Sequence, residues 1–295
     1  MKSMVPQRYQ VRLTPRDLEI SRDLWVYRYL TTSQISRRHF GHIKLAQRRM
    51  RQLVKAKLVD RFSAVPSKWA GFEGWTYRLS GEGVKLVAAD TGLAREEIRP
   101  PIRPPQGVGY LAHHRLLTDF RIWVREGCAG PEGEFGYQFV PSYEEVRVEG
   151  RRRRRVAIEV PGRKRRLVPD GAFTLVRSAD GKAALFLLEI DRGTEPLSGV
   201  HPSSIEKKLG LYRDAFDREV DCSYGKLFEH SFNGFRVLFL VPDRRRATGV
   251  IRVAKRMDLA PIVWAAEDHI VQEPGELTAE VWLDDPKGPP RSLVE

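Results

Sequence analysis

The sequence predicts an α+β / α/β chain of two domains. The first is a winged helix-turn-helix over residues 1–98. The second runs over residues 110–283 in the order α-β-β-β-α-β, and residues 284–295 form a tail. Three observations carry this expectation. Helical periodicity and strand-like runs form two separate blocks, each with its own start and stop signals. Between them, RPPIRPPQGVG (residues 99–109) packs four prolines into six positions, which resists helix and sheet and makes a semi-rigid spacer. Charge is also divided unevenly: of a net +13 over 295 residues, residues 1–105 contribute +12 (21 Lys+Arg against 9 Asp+Glu), while the remainder holds 30 against 29. A positive balance confined to one third of a chain is the electrostatic footprint of a polyanion partner.

Composition excludes several classes. A hydrophobic fraction of 41% with 30% charged residues is ordinary for a soluble globular protein. The longest apolar runs, such as Ala183–Leu188, fall far short of the roughly 20 residues that span a bilayer. MKSMVPQRYQ has no apolar core of a signal peptide. Cys128 and Cys222 stand far apart, which excludes a disulfide framework or a cysteine-rich zinc site and suits two buried thiols in a reducing cytoplasm. The sequence holds no Gly-rich phosphate loop of Walker type, no nucleophilic Ser/His or Cys/His arrangement and no internal repeat.

In the first block, Thr14-Pro15-Arg16-Asp17 is a helix start: Thr14 caps, Pro15 suits the first turn, and Asp17 stands three residues on. Leu18, Trp25 and Tyr29 then mark the expected apolar face. Thr31-Thr32-Ser33-Gln34 repeats the capping pattern, and Gly41 ends the second helix. A third helix over about 44–57 puts Ala46, Met50, Leu53 and Val54 on one face and Lys44, Arg48, Arg51 and Lys55 on the other. Between Thr31 and Arg61 there are nine basic residues and a single acid, Asp60. An ordinary solvated helix face carries both signs; this one carries one. LVDRF and WTYRLS form a β-hairpin around a loop holding Pro66, Gly71 and Gly74, and Ser80 caps a last helix. Three helices and a hairpin of this order predict a winged helix whose third helix enters the major groove of double-stranded DNA.

The second block opens on a helix, YLAHHRLLTDFRIWVRE, with His113, Leu116, Leu117, Phe120, Trp123 and Val124 on one face. GYQFVPSYEEVRV, RLVPDGAFTLV and AALFLLEID follow as strands, then a helix over about 203–216, the strand FRVLFLVP, the helix TGVIRVAKRM and the strand APIVWAAED. Asp180-Gly181 is a two-residue hairpin signal. With Ala179 opposite Lys182, paired numbers sum to 361, so Asp170 faces Asp191 and Glu189 faces Ala172. All three carboxylates then share one face within about 4.5–8 Å. Clustered carboxylates repel and call for a cation; hard oxygen ligands suit Mg²⁺ or Mn²⁺, which could polarise a phosphate and acidify a bound water. The alternative is a structural salt-bridge site with Arg192 or Arg213. His113 on an apolar helix face is either a hydrogen-bonded core residue or a support for the acid cluster. Ten basic residues between Arg147 and Arg166, Arg152 and Arg154 among them, offer a clamp on the phosphate backbone or a charged loop, with Arg244-Arg245-Arg246 as a lesser second cluster.

Pro169-Asp170, nineteen residues before Glu189 on adjacent strands of an α-β-β-β-α-β order, resembles the PD-(D/E)xK nuclease superfamily. That resemblance implies that the acids Asp170, Glu189 and Asp191 bind the metal and that a lysine assists the attacking water. The usual lysine position holds Asp191. Some members supply the lysine from the following helix, where this chain has Lys207 and Lys208. Lys208 and Tyr212, at i and i+4, are spaced like the Gln-x-x-x-Tyr helix of the RecB-like branch, which makes Lys208 the expected migrated lysine. LTPRDLEI, LTTSQI, RRMRQLVKAKLVDRF, LAHHRLLTDFRI, VPDGAFTL and LEIDRGTEP…KKLGLYR, over about residues 13–241, resemble replication-relaxation proteins, encoded on plasmids and mobile elements. This resemblance implies a role in plasmid replication or DNA relaxation, and the nuclease resemblance implies that the reaction is metal-dependent nicking or cutting of DNA. Double-stranded DNA is then the partner, with a homodimer and other replication or mobilisation proteins as compatible partners. A nuclease-like scaffold without catalysis, or a transcription regulator, are the alternatives.

Overall fold

The computed structural model describes residues 11–63, 75–98, 108–129, 134–148, 150–160, 162, 166–199, 201, 203–217 and 221–294. The loop holding Pro66, Gly71 and Gly74, most of the Pro-rich segment, the basic residues 163–165 and the Cys222 side chain lie outside them. The chain forms two compact units, residues 1–118 and 119–295, divided within a helix, α5 (Val108–Cys128). That helix begins at Val108, inside the segment expected as linker. Its first half belongs to the first unit, where His114 stands edge-on to Tyr29 at 5.1 Å and the Gln34 amide donates to the Arg115 carbonyl at 3.4 Å. No helix among the described residues is long and apolar enough to cross a membrane.

The first unit is mixed α/β: α1 (Pro15–Tyr27), β1 (Leu30–Thr31), α2 (Thr32–His39), α3 (Ile43–Lys55), β2 (Val59–Ser63), β3 (Trp75–Leu79) and α4 (Gly81–Thr91). The strands form an antiparallel sheet of order β1-β3-β2. The caps read from the sequence are in place. The Asp17 carboxylate accepts from the Thr14 backbone N–H and hydroxyl, both at 2.7 Å; Thr31 caps Gln34, and Ser80 accepts from the Gly83 N–H at 3.1 Å.

The face of α1 differs from expectation. Leu18 and Trp25 are only half-buried and Tyr29 lies beyond the helix; the buried side carries Ile20, Leu24 and Tyr27 together with Asp17 and Asp23. Asp17 pairs with Arg49 of α3, and Asp23 binds Arg38 (2.6 Å) and His39 (2.8 Å) of α2. Burial alone would raise both acids, yet Arg49 and the Thr14 hydrogen bonds hold Asp17, and Arg38 with the His39 hydrogen bond holds Asp23, below the ordinary carboxylate range. Paired charges are tolerated inside, so apolar spacing alone misphased the helix.

The second unit is built on a five-stranded mixed sheet, order β12-β11-β10-β9-β4. Its strands are β4 (Phe135–Pro141), β9 (Gly171–Arg177), β10 (Ala183–Ile190), β11 (Arg236–Val241) and β12 (Val263–Glu267). β4, β9 and β10 are antiparallel; β10, β11 and β12 run parallel. The run expected as one strand, 136–148, is two. Residues 142–144 turn the chain between β4 and β5 (Glu145–Val148), which pairs with β6 (Arg151–Arg154); a second small pair, β7 (Ile158–Glu159) and β8 (Arg166–Leu167), precedes β9. Pro141 sits in β4, an edge strand, where a missing N–H is tolerated.

Helices α6 (Ile205–Phe216), α7 (Asp221–Phe228) and α8 (Arg244–Arg256) follow; α7 was not anticipated. Leu185, Leu187, Val237 and Phe239 pack with Leu209 and Tyr212 of α6 and with Val250 and Ile251 of α8 in one core. On the opposite face Phe120 of α5 meets Phe173 at 5.5 Å, which stacks on Phe186 at 4.9 Å. Residues expected as a tail are packed, because Leu293 is apolar and buried and its N–H donates to Leu277 O at 3.0 Å.

Gly171 fixes the end of β9 that leads back to Asp170. A Cβ there would stand 2.3 Å from the Phe139 ring, itself stacked on Phe173 at 5.8 Å. Gly171→Ala is therefore expected to destabilise the second unit by about 1–3 kcal/mol, read as a lower urea midpoint; an unchanged midpoint would show that the ring has room to move.

Candidate active site

The three carboxylates singled out in the sequence lie at one end of the β9–β10 pair, in a register shifted from the expected one. Ala183 faces Val176 and Leu188 faces Gly171, so paired numbers sum to 359 rather than 361. The physical reason is the turn. A two-residue type I′ loop needs positive φ at both central residues, and only Gly181 adopts it, at +68°. Ser178–Gly181 form a four-residue loop instead, closed by Gly181 N–H to Arg177 O and Arg177 N–H to Lys182 O, each 2.9 Å. A slip of two keeps every side chain on its face but changes the partners. Continuing the ladder, Asp170 stands opposite Glu189: its N–H donates to Leu188 O at 2.9 Å, and its Oδ2 accepts from Ile190 N–H at 2.8 Å.

Glu189 sits on the α6 side of β10 with Leu185 and Leu187, where its side chain is 3% exposed. Two groups of α6 meet it, one turn apart. Lys208 Nζ lies 2.9 Å from Oε2, and the Tyr212 hydroxyl donates to Oε1 at 2.5 Å. Ser204 starts that helix by accepting from the Lys207 N–H. Burial drives the Glu189 carboxyl up to about 7; Lys208 pulls it down, Asp170 raises it further, and the Tyr212 hydrogen bond lowers it. Burial would lower Lys208, yet Glu189, Asp170 and Glu195 together raise it above the ordinary lysine value. Tyr212 is raised by burial and by Glu189, so its hydroxyl stays protonated and donates.

Asp191 does not share this pocket of partners. Its Oδ2 meets Arg246 Nε at 2.5 Å and its Oδ1 accepts from Gly193 N–H at 2.9 Å. Arg246 is an arginine drawn to it. This residue was missed as a site residue because α8 was expected to start after it; Asp243 caps α8 and puts Arg246 in the first turn. A cation there opposes the helix dipole and signals a nearby acid. Lys207 is exposed. His113 is half-buried in the first half of α5, within the first unit; its neighbour His114 is the buried one. Among the described residues no group of three His, Cys, Asp or Glu is arranged to hold a metal ion. Asp170 and Glu189 are a two-carboxylate pair, a donor set that Mg²⁺ accepts when waters and a phosphate complete its shell.

Each unit carries a basic surface of its own. On α3, Lys44, Arg48, Arg51 and Lys55 are all exposed, with Ala46, Met50 and Leu53 buried behind them. On the β5–β6 hairpin, Arg152 and Arg154 are exposed, and Arg147 stands directly opposite Arg152. Like charges directly across a strand pair repel; Glu145 reaches Arg152 only at 3.8 Å.

The raised carboxyl has a consequence for stability. A group with a folded pKa of about 7, against 4.5 unfolded, contributes fully below 4.5 and loses that contribution as pH rises through 7. Urea unfolding of the second unit between pH 5 and 7 is expected to weaken with a slope of at most about 1.4 kcal/mol per pH unit from this group. Glu189→Gln should flatten it; equal slopes in both proteins would contradict the assignment.

Comparison with known proteins places the chain. A family model described as replication-relaxation matches residues 22–230, which takes in the first unit from within α1 onward and the strands and helix carrying Glu189, Lys208 and Tyr212, with Asp170 beside them. Searches of curated proteins and of solved structures returned no match. With well over half of its length covered by that model, the chain belongs to the replication-relaxation family.

Proposed function

We propose that the first unit is a winged helix-turn-helix that lays α3 on duplex DNA, and that the second is a PD-(D/E)xK-like domain catalysing metal-dependent phosphodiester hydrolysis in replication or relaxation of a plasmid or mobile element. The observation that carries this reading is Lys208 and Tyr212, one helical turn apart, converging on a buried Glu189 that lies across from Asp170. Family membership supports the replication context.

In this reading Asp170 and Glu189 would hold Mg²⁺ or Mn²⁺, which would supply a polarised phosphate and a more acidic water. Lys208 donates from Nζ to orient the attacking oxygen, and Tyr212 fixes Glu189 by donating to Oε1. Asp191, expected among the metal ligands, serves as an anchor through Arg246. The exposed row on α3 positions the duplex through phosphates and base edges, and the Arg147–Arg152 pair draws a phosphate between its two guanidinium groups. A second reading, a scaffold without catalysis, is favoured by Asp191 standing in the usual lysine position with its carboxylate given to Arg246.

Supercoiled plasmid incubated with Mg²⁺ or Mn²⁺ is expected to become nicked or linear with the wild type and to stay supercoiled with Asp170→Ala or Glu189→Ala. Binding without cutting by all three proteins would favour the scaffold. For the DNA surface, the Arg152→Ala/Arg154→Ala double variant should make the dependence of log Kobs on log salt shallower by up to about 2. An unchanged slope would remove the hairpin from the interface.

A further inference from the structure

Lys208 pairs with Glu189 on the strand pair and with Glu195 beyond it. Its Nζ lies 2.9 Å from Glu189 Oε2 and 3.4 Å from Glu195 Oε2. Glu195 rides on the irregular stretch after β10, and Arg246 holds its backbone in place there. Its Nε binds Asp191 Oδ2 at 2.5 Å, and its Nη2 donates to the Glu195 backbone oxygen at 2.6 Å. Asp191 closes the intervening turn by accepting from Gly193 N–H, with Gly193 at φ +73°. The anchor is buried, its side chains 14% (Arg246) and 1% (Asp191) exposed. A buried ion pair is weak evidence for added stability, and its better-attested use is to fix geometry. The geometry fixed here is the approach of Glu195 to Lys208.

We propose that Glu195 is a positioning residue: it is a second seat for the Lys208 ammonium, occupied when a divalent cation on Asp170 and Glu189 takes the Glu189 oxygen that the lysine now holds. The inference rests on the metal-dependent reading above. An ammonium and a divalent ion on one carboxylate oxygen repel each other, which favours moving the ammonium away. A displaced Lys208 with no other carboxylate would swing into solvent, away from the phosphate. Glu195, with its side chain 31% exposed, can follow the ammonium and hold it beside the site. Asp170, Glu189 and Glu195 all attract Lys208; when ionised, three carboxylates against one ammonium leave the charge that one divalent ion neutralises. The anchor of Asp191 by Arg246 thereby gives the acid in the usual lysine position a task.

The test is Mn²⁺ binding by the full chain, followed by electron paramagnetic resonance of the free ion, with the site defined as the binding abolished by Asp170→Asn. Glu195→Gln is expected to weaken that binding about tenfold, the scale typical of groups that orient metal ligands. Glu195→Asp should recover most of the loss, and Arg246→Lys should fall between. Wild-type affinity in Glu195→Gln overturns the role of Glu195 and leaves the metal pair standing. Equal Mn²⁺ binding by wild type and Asp170→Asn overturns the metal reading itself, and the inference with it.

Discussion

A carboxylate inside a protein core, facing a second carboxylate across two strands, is held only where a cation and hydrogen-bond donors are built around it. Glu189 meets that condition through α6. Ser204 caps the helix, Ile205 and Leu209 bury it against the sheet, and the same rotation that buries Leu209 and Tyr212 brings Lys208 to Glu189. The ion pair is thus a consequence of helix packing, and packing in turn depends on it, since removing the lysine would leave an uncompensated buried charge. Gly171, Phe139 and the four-residue hairpin loop set the register that completes the arrangement by bringing Asp170 opposite Glu189.

The first unit obeys the same constraint with a different outcome. Asp17 and Asp23 are buried on α1 and claim Arg49, Arg38 and His39 from the basic run of α2 and α3. The two arginines as cations, and His39 through its hydrogen bond, hold helices together. The exposed row Lys44, Arg48, Arg51 and Lys55 keeps its charge facing water, so the surface is more uniformly positive than a count of residues conveys. One basic segment is thus divided into structural and solvent-facing cations: the scaffold is neutralised within, and the outer face is not, which supports the proposed docking on a polyanion.

Much of this was legible in the sequence, and the failures share causes. Capping boxes at Thr14 and Thr31 were readable because they are local. The α3 faces were readable because an amphipathic helix repeats its pattern over three turns. Asp170, Glu189, Lys208 and Tyr212 were named from spacing and resemblance. The α1 face was misphased because buried acids break apolar periodicity when their partners lie 15 to 32 residues away. The hairpin register slipped by two because Asp-Gly serves more than one loop length. Arg246 was read only as part of a lesser phosphate-binding cluster and Glu195 was not singled out, because their contacts cross from the β10 end to α8 and α6, and no local pattern encodes such a contact.

The measurement that tests the central claim most directly is anomalous diffraction at the manganese edge from crystals grown with Mn²⁺ and a short duplex. The account predicts an anomalous peak within coordination distance of both Asp170 and Glu189, with Lys208 Nζ moved from Glu189 toward Glu195. A map with no peak there, and Lys208 still on Glu189 beside bound DNA, would contradict it.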